Sequence, residues 1–157
     1  MVETAGTRAA SAAGLDARVV ATEIPNSAEE SAALQGIDVG RLLRTIVIRR
    51  GVDDYVFVLV PGGHQIDWKK LRGHLGARRL SLPEAAEATE ATGYERGAIT
   101  PFGSSTAWPV VADATIRRLG TVAIGAGARG VNLHVDAAAM LAVLDADEAD
   151  VVADPRP

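Results

Sequence analysis

The chain has 157 residues, 48% of them hydrophobic, which is the length and apolar content of one packed domain spanning residues 1–157. It has no cysteine, so disulfides, thiolate nucleophiles and cysteine-ligated zinc are excluded. Its net charge of −4 excludes a broad, sequence-independent grip on DNA, which needs clustered cations, but leaves room for contact with one end of a tRNA. No apolar run approaches the roughly 20 residues of a membrane span, and the first residues lack the apolar core of a signal peptide. A cytoplasmic protein with no membrane contact is expected.

The Ala-rich segment 3–14 predicts a first helix that stops at Gly14. Residues 19–24 read as a strand broken by Pro25. Asn26 or Ser27 caps a helix that runs to Gln35 and ends at Gly36, with Glu29 and Glu30 in its first turn. Residues 42–50 and 55–60 are rich in β-branched side chains, and 51–54 supplies a turn, so they predict a hairpin in the core. Asp67 caps a helix through Leu75, closed by Gly76. A short strand at 80–82 precedes a helix over 83–91 with Pro83 in its first turn. Residues 108–112, 121–124 and 131–135 read as strands, and Asp136 caps an Ala-rich helix to Leu144. Residues 150–152 predict a last edge strand. Helices and strands alternate irregularly around a hairpin, which predicts an α/β (α+β) fold with a mixed sheet.

Most generic catalytic templates fail. His64, His74 and His134 lie in unrelated segments and form no helical ligand pair, so no metal site is expected. Gly125-x-Gly127-x-x-Gly130 has dinucleotide-binding spacing, but residues 131–135 read as a strand where that motif needs a helix. Only two of the 16 basic residues are lysine. Lys69, Lys70, Arg72, Arg78 and Arg79 cluster locally and read as a solvated face. The segment 92–103 is different. It places Gly93, Gly97, Gly103, Pro101, Tyr94 and Phe102 within twelve residues, a composition that regular helix or strand disfavours. It reads as a loop whose backbone amides can face a ligand, and 125–130 is a second loop of that kind.

A series of ordered motifs carries a family resemblance. Ser27-Ala28-Glu29-Glu30 looks like an early helix start, and Arg44-Thr45-Ile46-Val47 looks like a Lys-Thr-Leu-Val strand. Gly62-Gly63-His64-Gln65-Ile66-Asp67 with Lys69-Lys70-Leu71 looks like a Gly-x-x-x-Leu-Asp-x-Lys-Lys element. The glycine loops and the strand near Trp108 follow in the same order. Over roughly residues 27–135 the chain resembles the YbaK and prolyl-tRNA synthetase-associated domain family, whose members hydrolyse mischarged aminoacyl-tRNA. The resemblance implies a strongly curved sheet or partial barrel flanked by helices. It also implies a trans-editing deacylase that hydrolyses the ester of a small amino acid, of cysteine or alanine type, on proline tRNA. The partners it implies are the acceptor end of aminoacyl-tRNA and, as a candidate, prolyl-tRNA synthetase. No metal or organic cofactor is implied.

Such an activity has a physical reason. One methylene is worth only about 1–3 kcal/mol in a pocket, so a synthetase rejects smaller or near-isosteric amino acids poorly and a second, hydrolytic site restores fidelity. That site must hold the ester carbonyl near amides that stabilise an oxyanion. The resemblance gives this role to Gly97, and gives Arg44 the task of orienting the ester or the terminal adenosine. Gly125 and Gly127 match glycines beside the amino-acid pocket. Tyr94, Phe102, Pro101, Gly103, Thr45 and Thr100 are the further candidate substrate contacts. Tyr94 and Phe102 read equally well as core, Thr45 and Thr100 as backbone-bonded hydroxyls, and each glycine alone as a turn. Trp68 and Trp108 read as packing residues.

Arg44 stands where the family carries lysine. Arginine keeps the charge and grips phosphate in a bidentate manner, but it cannot accept a proton. Three readings stay open: the same electrostatic role, a different substrate, or a non-catalytic module that binds aminoacyl-tRNA or a synthetase.

Overall fold

Two runs of β-branched residues pair as expected and form the spine of the fold. In the computed structural model, which describes residues 2–154, these are β2 (Leu43–Gly51) and β3 (Asp54–Pro61), antiparallel from Leu43↔Pro61 to Arg49↔Tyr55. Met1 and residues 155–157 of the expected domain lie outside the described residues. β3 then pairs in parallel with β4 (Val110–Asp113), and β4 in parallel with β7 (Asp147–Ala149), giving a mixed sheet of order β2-β3-β4-β7. A second, antiparallel sheet has the order β1-β6-β5, from β1 (Ala17–Ala21), β5 (Thr121–Gly125) and β6 (Val131–Asp136). A bridge between Leu42 and Ala123 brings the start of β2 against β5, so the sheets curve into a partial barrel.

β3 is buried on both faces, and its period of two feeds two cores. Phe57 and Leu59 enter a core with Ile124, Leu133, Met140 and Leu141. Val56, Val58 and Val60 enter a second core with Ile48, Leu71, Val111 and Val151. Five helices flank the sheets: α1 (Ala5–Ala12), α2 (Ala28–Gln35), α3 (Trp68–Leu75), α4 (Ala85–Thr92) and α5 (Ala137–Val143). The expected caps form. Ser27 accepts from Glu30 N, Asp67 from Lys70 N and Asp136 from Ala139 N, at 3.0–3.1 Å. Each satisfies an amide that the first turn would otherwise leave unpaired.

Several boundaries differ from the sequence reading. The first strand is Ala17–Ala21 rather than 19–24, and beyond it Thr22 N makes one further bond, to Gly130 O at 2.8 Å. Residues 80–82 are not a strand: Ser81 alone exchanges two backbone hydrogen bonds with Arg49, and Pro83 has no N–H to continue the ladder. Pro83 lies ahead of α4, whose cap is Glu84. β4 begins after Pro109, whose carbonyl still accepts from Phe57 N at 2.9 Å. The last strand is 147–149 rather than 150–152. Val151 and Val152 are buried in the second core, and Val151 N donates to the Asp113 carboxylate at 3.1 Å.

Candidate functional site

β2 is an edge strand of its sheet, and among the described residues its outer edge is bridged only at Leu42 by β5 and at Arg49 by Ser81. Between those points residues 43–47 line an open cleft of about 760 Å³. Arg49 turns its N–H and C=O outward to Ser81, so antiparallel alternation turns those of Thr45 and Val47 the same way, toward the cleft. The opposite walls come from the start of α2, from Arg96, Gly97 and Ile99, and from Gly125 with 128–132. Segments remote in sequence thus meet at one opening, and they bring Arg44, Thr45, Gly97 and Gly125 together.

Arg44 is exposed, and its Nη1 donates to His64 O at 3.3 Å. The Thr45 hydroxyl is buried without a hydrogen-bond partner among the described residues. Gly97 has φ +89°, and its N–H donates to no protein group among the described residues. A methyl group at Gly97 would lie 3.2 Å from Arg129 Nε, so the Arg129 side chain lies against the Gly97 backbone. Arg129 Nη2 in turn donates to Arg96 O at 3.0 Å, tying the two glycine loops together.

The other expected contacts lie behind the wall. Tyr94 and Phe102 are buried, with Phe102 in the first core, and Tyr94 OH donates to Phe102 O at 2.7 Å. Burial pushes the Tyr94 phenol up from its ordinary pKa. Gly127 packs against this ring: a Cβ there would come within 2.7 Å of Tyr94 Cε1. Thr100 is fully buried and its hydroxyl accepts from Phe102 N at 3.3 Å. Pro101 is half-buried and Gly103 is exposed, and neither lines the cleft. This group props the loop so that the Gly97 backbone presents to the cleft.

Trp108 packs as read: its indole donates to Ala91 O at 2.8 Å, and its ring meets Tyr55 edge-on at 5.1 Å. Trp68 lines the cleft as well as touching the second core. Sequence reasoning passed over Arg96, Arg129 and Ser31. Arg96 and Arg129 stand inside the two glycine loops, so their positions were a usable signal. Nothing local marks Ser31.

The cleft has a clear electrostatic character. Its lining holds Arg44, Arg96 and Arg129 but no aspartate, glutamate, histidine or lysine. None of the three arginines lies within 4.0 Å of a carboxylate oxygen among the described residues. An acidic chain therefore carries a positive cleft, which suits an anionic ligand. Among the described residues no three His, Asp or Glu side chains gather into a metal-ligating group. No helix there is long and apolar enough to cross a membrane.

The family model for the aminoacyl-tRNA editing domain matches residues 23–143. The chain belongs to that family. The matched segment contains the cleft's β2 edge and both glycine loops. The editing domain is 26% identical over 125 residues to a proposed Cys-tRNA(Pro)/Cys-tRNA(Cys) deacylase, EbsC, of Enterococcus faecalis, an alignment covering 80% of this chain and 76% of that one. It is 32% identical over 108 residues to a proline–tRNA ligase of Lactobacillus helveticus, covering 69% of this chain but only 19% of the ligase. The crystal structure of a proposed trans-editing enzyme for prolyl-tRNA synthetase superposes with a TM-score of 0.86 at 24% identity, covering 98% of this chain and 100% of that chain. At that identity the superposition speaks for the fold alone, the mixed, curved architecture expected from the sequence.

Proposed function

We propose that the editing domain is a trans-acting deacylase that hydrolyses the ester of a small amino acid, of cysteine or alanine type, mischarged on proline tRNA. The observation that carries this reading is the positive, carboxylate-free cleft beside the unpartnered Gly97 N–H. On this reading Arg44, with Arg96 and Arg129 at the rim, holds phosphates of the tRNA 3′ end, and the ester carbonyl lies against Gly97. Water, or a nucleophile of the substrate itself, adds to the carbonyl carbon. Negative charge gathers on the carbonyl oxygen, where the Gly97 amide stabilises it. The C–O bond to the ribose then breaks, the ribose oxygen takes up a proton, and the acyl group leaves, as the free amino acid where water attacked or as a cyclic thioester that water later opens where a cysteine thiol did. No lining side chain is a general base, so the attacking group's proton passes to solvent or to the substrate, and Arg44 acts as a fixed charge rather than as a proton acceptor.

We read it as acting in trans, as a single domain over residues 1–157 in the cytoplasm; an alignment that covers 76% of the Enterococcus faecalis protein but only 19% of the ligase is in keeping with action in trans. Prolyl-tRNA synthetase is the candidate partner. The test is single-turnover hydrolysis of alanyl-, cysteinyl- and seryl-tRNA by the native protein. Release of at least one amino acid well above the spontaneous rate is expected. No release from any of them, with tRNA still bound, would replace this reading by the non-catalytic binding module.

A further inference from the structure

A buried polar chain runs from the outer face of the three-stranded sheet to the cleft. His134 on β6, Gln35 at the end of α2 and Ser31 one turn earlier are all buried. Arg18 Nη2 lies 3.2 Å from His134 Nδ1, His134 Nε2 lies 2.9 Å from Gln35 Oε1, and Gln35 Nε2 donates to Ser31 Oγ at 2.9 Å. Ser31 also lines the cleft.

The proton positions follow from one chemical fact: a guanidinium donates and never accepts. His134 Nδ1 must therefore accept from Arg18, and the ring proton sits on Nε2. That N–H points at Gln35, which fixes the amide oxygen toward the ring and the amide nitrogen toward Ser31. Ser31 Oγ accepts from that nitrogen and keeps its own proton to give. Reversing the order would set two donors face to face at Arg18. Burial, and after it the Arg18 charge, push the His134 pKa down from its ordinary value, which favours the neutral ring.

Helical hydroxyls commonly turn their proton back to the carbonyl four residues earlier. Thr92 does so in this chain, donating to Ala88 O at 2.8 Å. Ser31 does not, and its hydroxyl donates to no protein group among the described residues.

We propose that Ser31 is a substrate-contacting hydrogen-bond donor, aimed into the cleft by the Arg18–His134–Gln35 chain, and that it serves an acceptor atom of the bound aminoacyl ester. The identity of that substrate rests on the deacylase reading above. Gln35, His134 and Arg18 are positioning residues, acting through Ser31. Gln35→Glu separates polarity from mere packing. A glutamate cannot donate to Ser31, so it draws the hydroxyl proton inward and leaves the serine in place but facing the wrong way.

The experiment has two arms. Ring ¹⁵N chemical shifts and couplings of His134 in the native protein report the tautomer, and Nε2–H is expected. Calorimetry measures binding of a tRNA acceptor hairpin ending in a hydrolysis-resistant alanylamido linkage, against the same hairpin without alanine. Ser31→Ala and Gln35→Glu are each expected to weaken the alanylated hairpin about 3- to 10-fold, the worth of one hydrogen bond, with little change for the bare hairpin. Melting curves show whether Gln35→Glu is folded; Ser31→Ala and the tautomer decide the matter without it. An Nδ1–H tautomer, native affinity in Ser31→Ala, or no binding of the alanylated hairpin by the native protein overturns the proposal. Ester turnover by the native protein is scored separately, so loss of the deacylase reading stays distinguishable from loss of Ser31's role.

Discussion

Around β7 and α3, Lys70 and Arg117 are each paired with carboxylates. Lys70 lies 3.1 Å from Asp150 and 3.3 Å from Asp154, and Arg117 lies 2.7 Å from Glu148. Asp150 raises the Lys70 pKa, and the hydrogen bond from Arg117 lowers that of Glu148. Along the cleft, Arg44, Arg96 and Arg129 have no carboxylate within 4.0 Å among the described residues. The same residue types serve two ends. Paired cations trim a solvated surface, where such pairs add little stability. The three unpaired arginines that line the cleft keep their charge where a ligand can reach it. The net charge of −4 averages over both regions and so hides the cleft's sign.

The strongest attempt to break this contrast is Gly97→Ala, which leaves every charge in place. Removing access to an oxyanion donor lowers the single-turnover rate about 10²- to 10³-fold. The left-handed backbone at φ +89° adds a stability cost of about 1–2 kcal/mol, readable by urea denaturation. A destabilised but fully active variant would mean that charge alone organises the cleft. Next comes Arg44. Arg44→Ala should slow hydrolysis about 10- to 100-fold, the worth of a charge-assisted contact. Arg44→Lys should retain or exceed native activity, because a fixed charge is all the position supplies. Turnover untouched in Arg44→Ala would remove that role.

Smaller effects sharpen the comparison. Arg129→Gln should weaken tRNA binding and reduce the slope of log Kd against log salt by about 1, the signature of one lost phosphate contact. Arg117→Gln, in the paired region, should change tRNA affinity less than about two-fold and leave the salt slope intact, since its charge is already matched by Glu148. Equal slopes for the two variants would erase the distinction between the regions.

Much of this architecture is written locally. The β-branched runs on either side of 51–53 could only pair, and Ser27, Asp67 and Asp136 start helices by capping the amides beside them. The cleft was half legible. Ordered motifs pointed to Arg44, Gly97 and Gly125, and all three line it. Tyr94, Phe102 and Gly127 belong to the same motifs but form its backing, where a ring packed close to a glycine holds the loop. Aromatic character does not say which way a ring turns. The terminal strand moved to 147–149 because Val151 and Val152 were claimed by a core that forms between distant segments.

By itself, then, the sequence determined the elements, their caps, the central hairpin and the family, because each depends on neighbours a few residues apart. Only the tertiary structure decided which cations stay unpaired, which glycine amide stays free and which hydroxyl keeps a proton to give. Those outcomes are distances between residues remote in the chain. Lys70 meets Asp150 across 80 positions, Arg129 meets Arg96 across 33, and His134 meets Gln35 across 99. A hydrogen bond or an ion pair weakens steeply within an ångström or two, so only folding decides who meets whom.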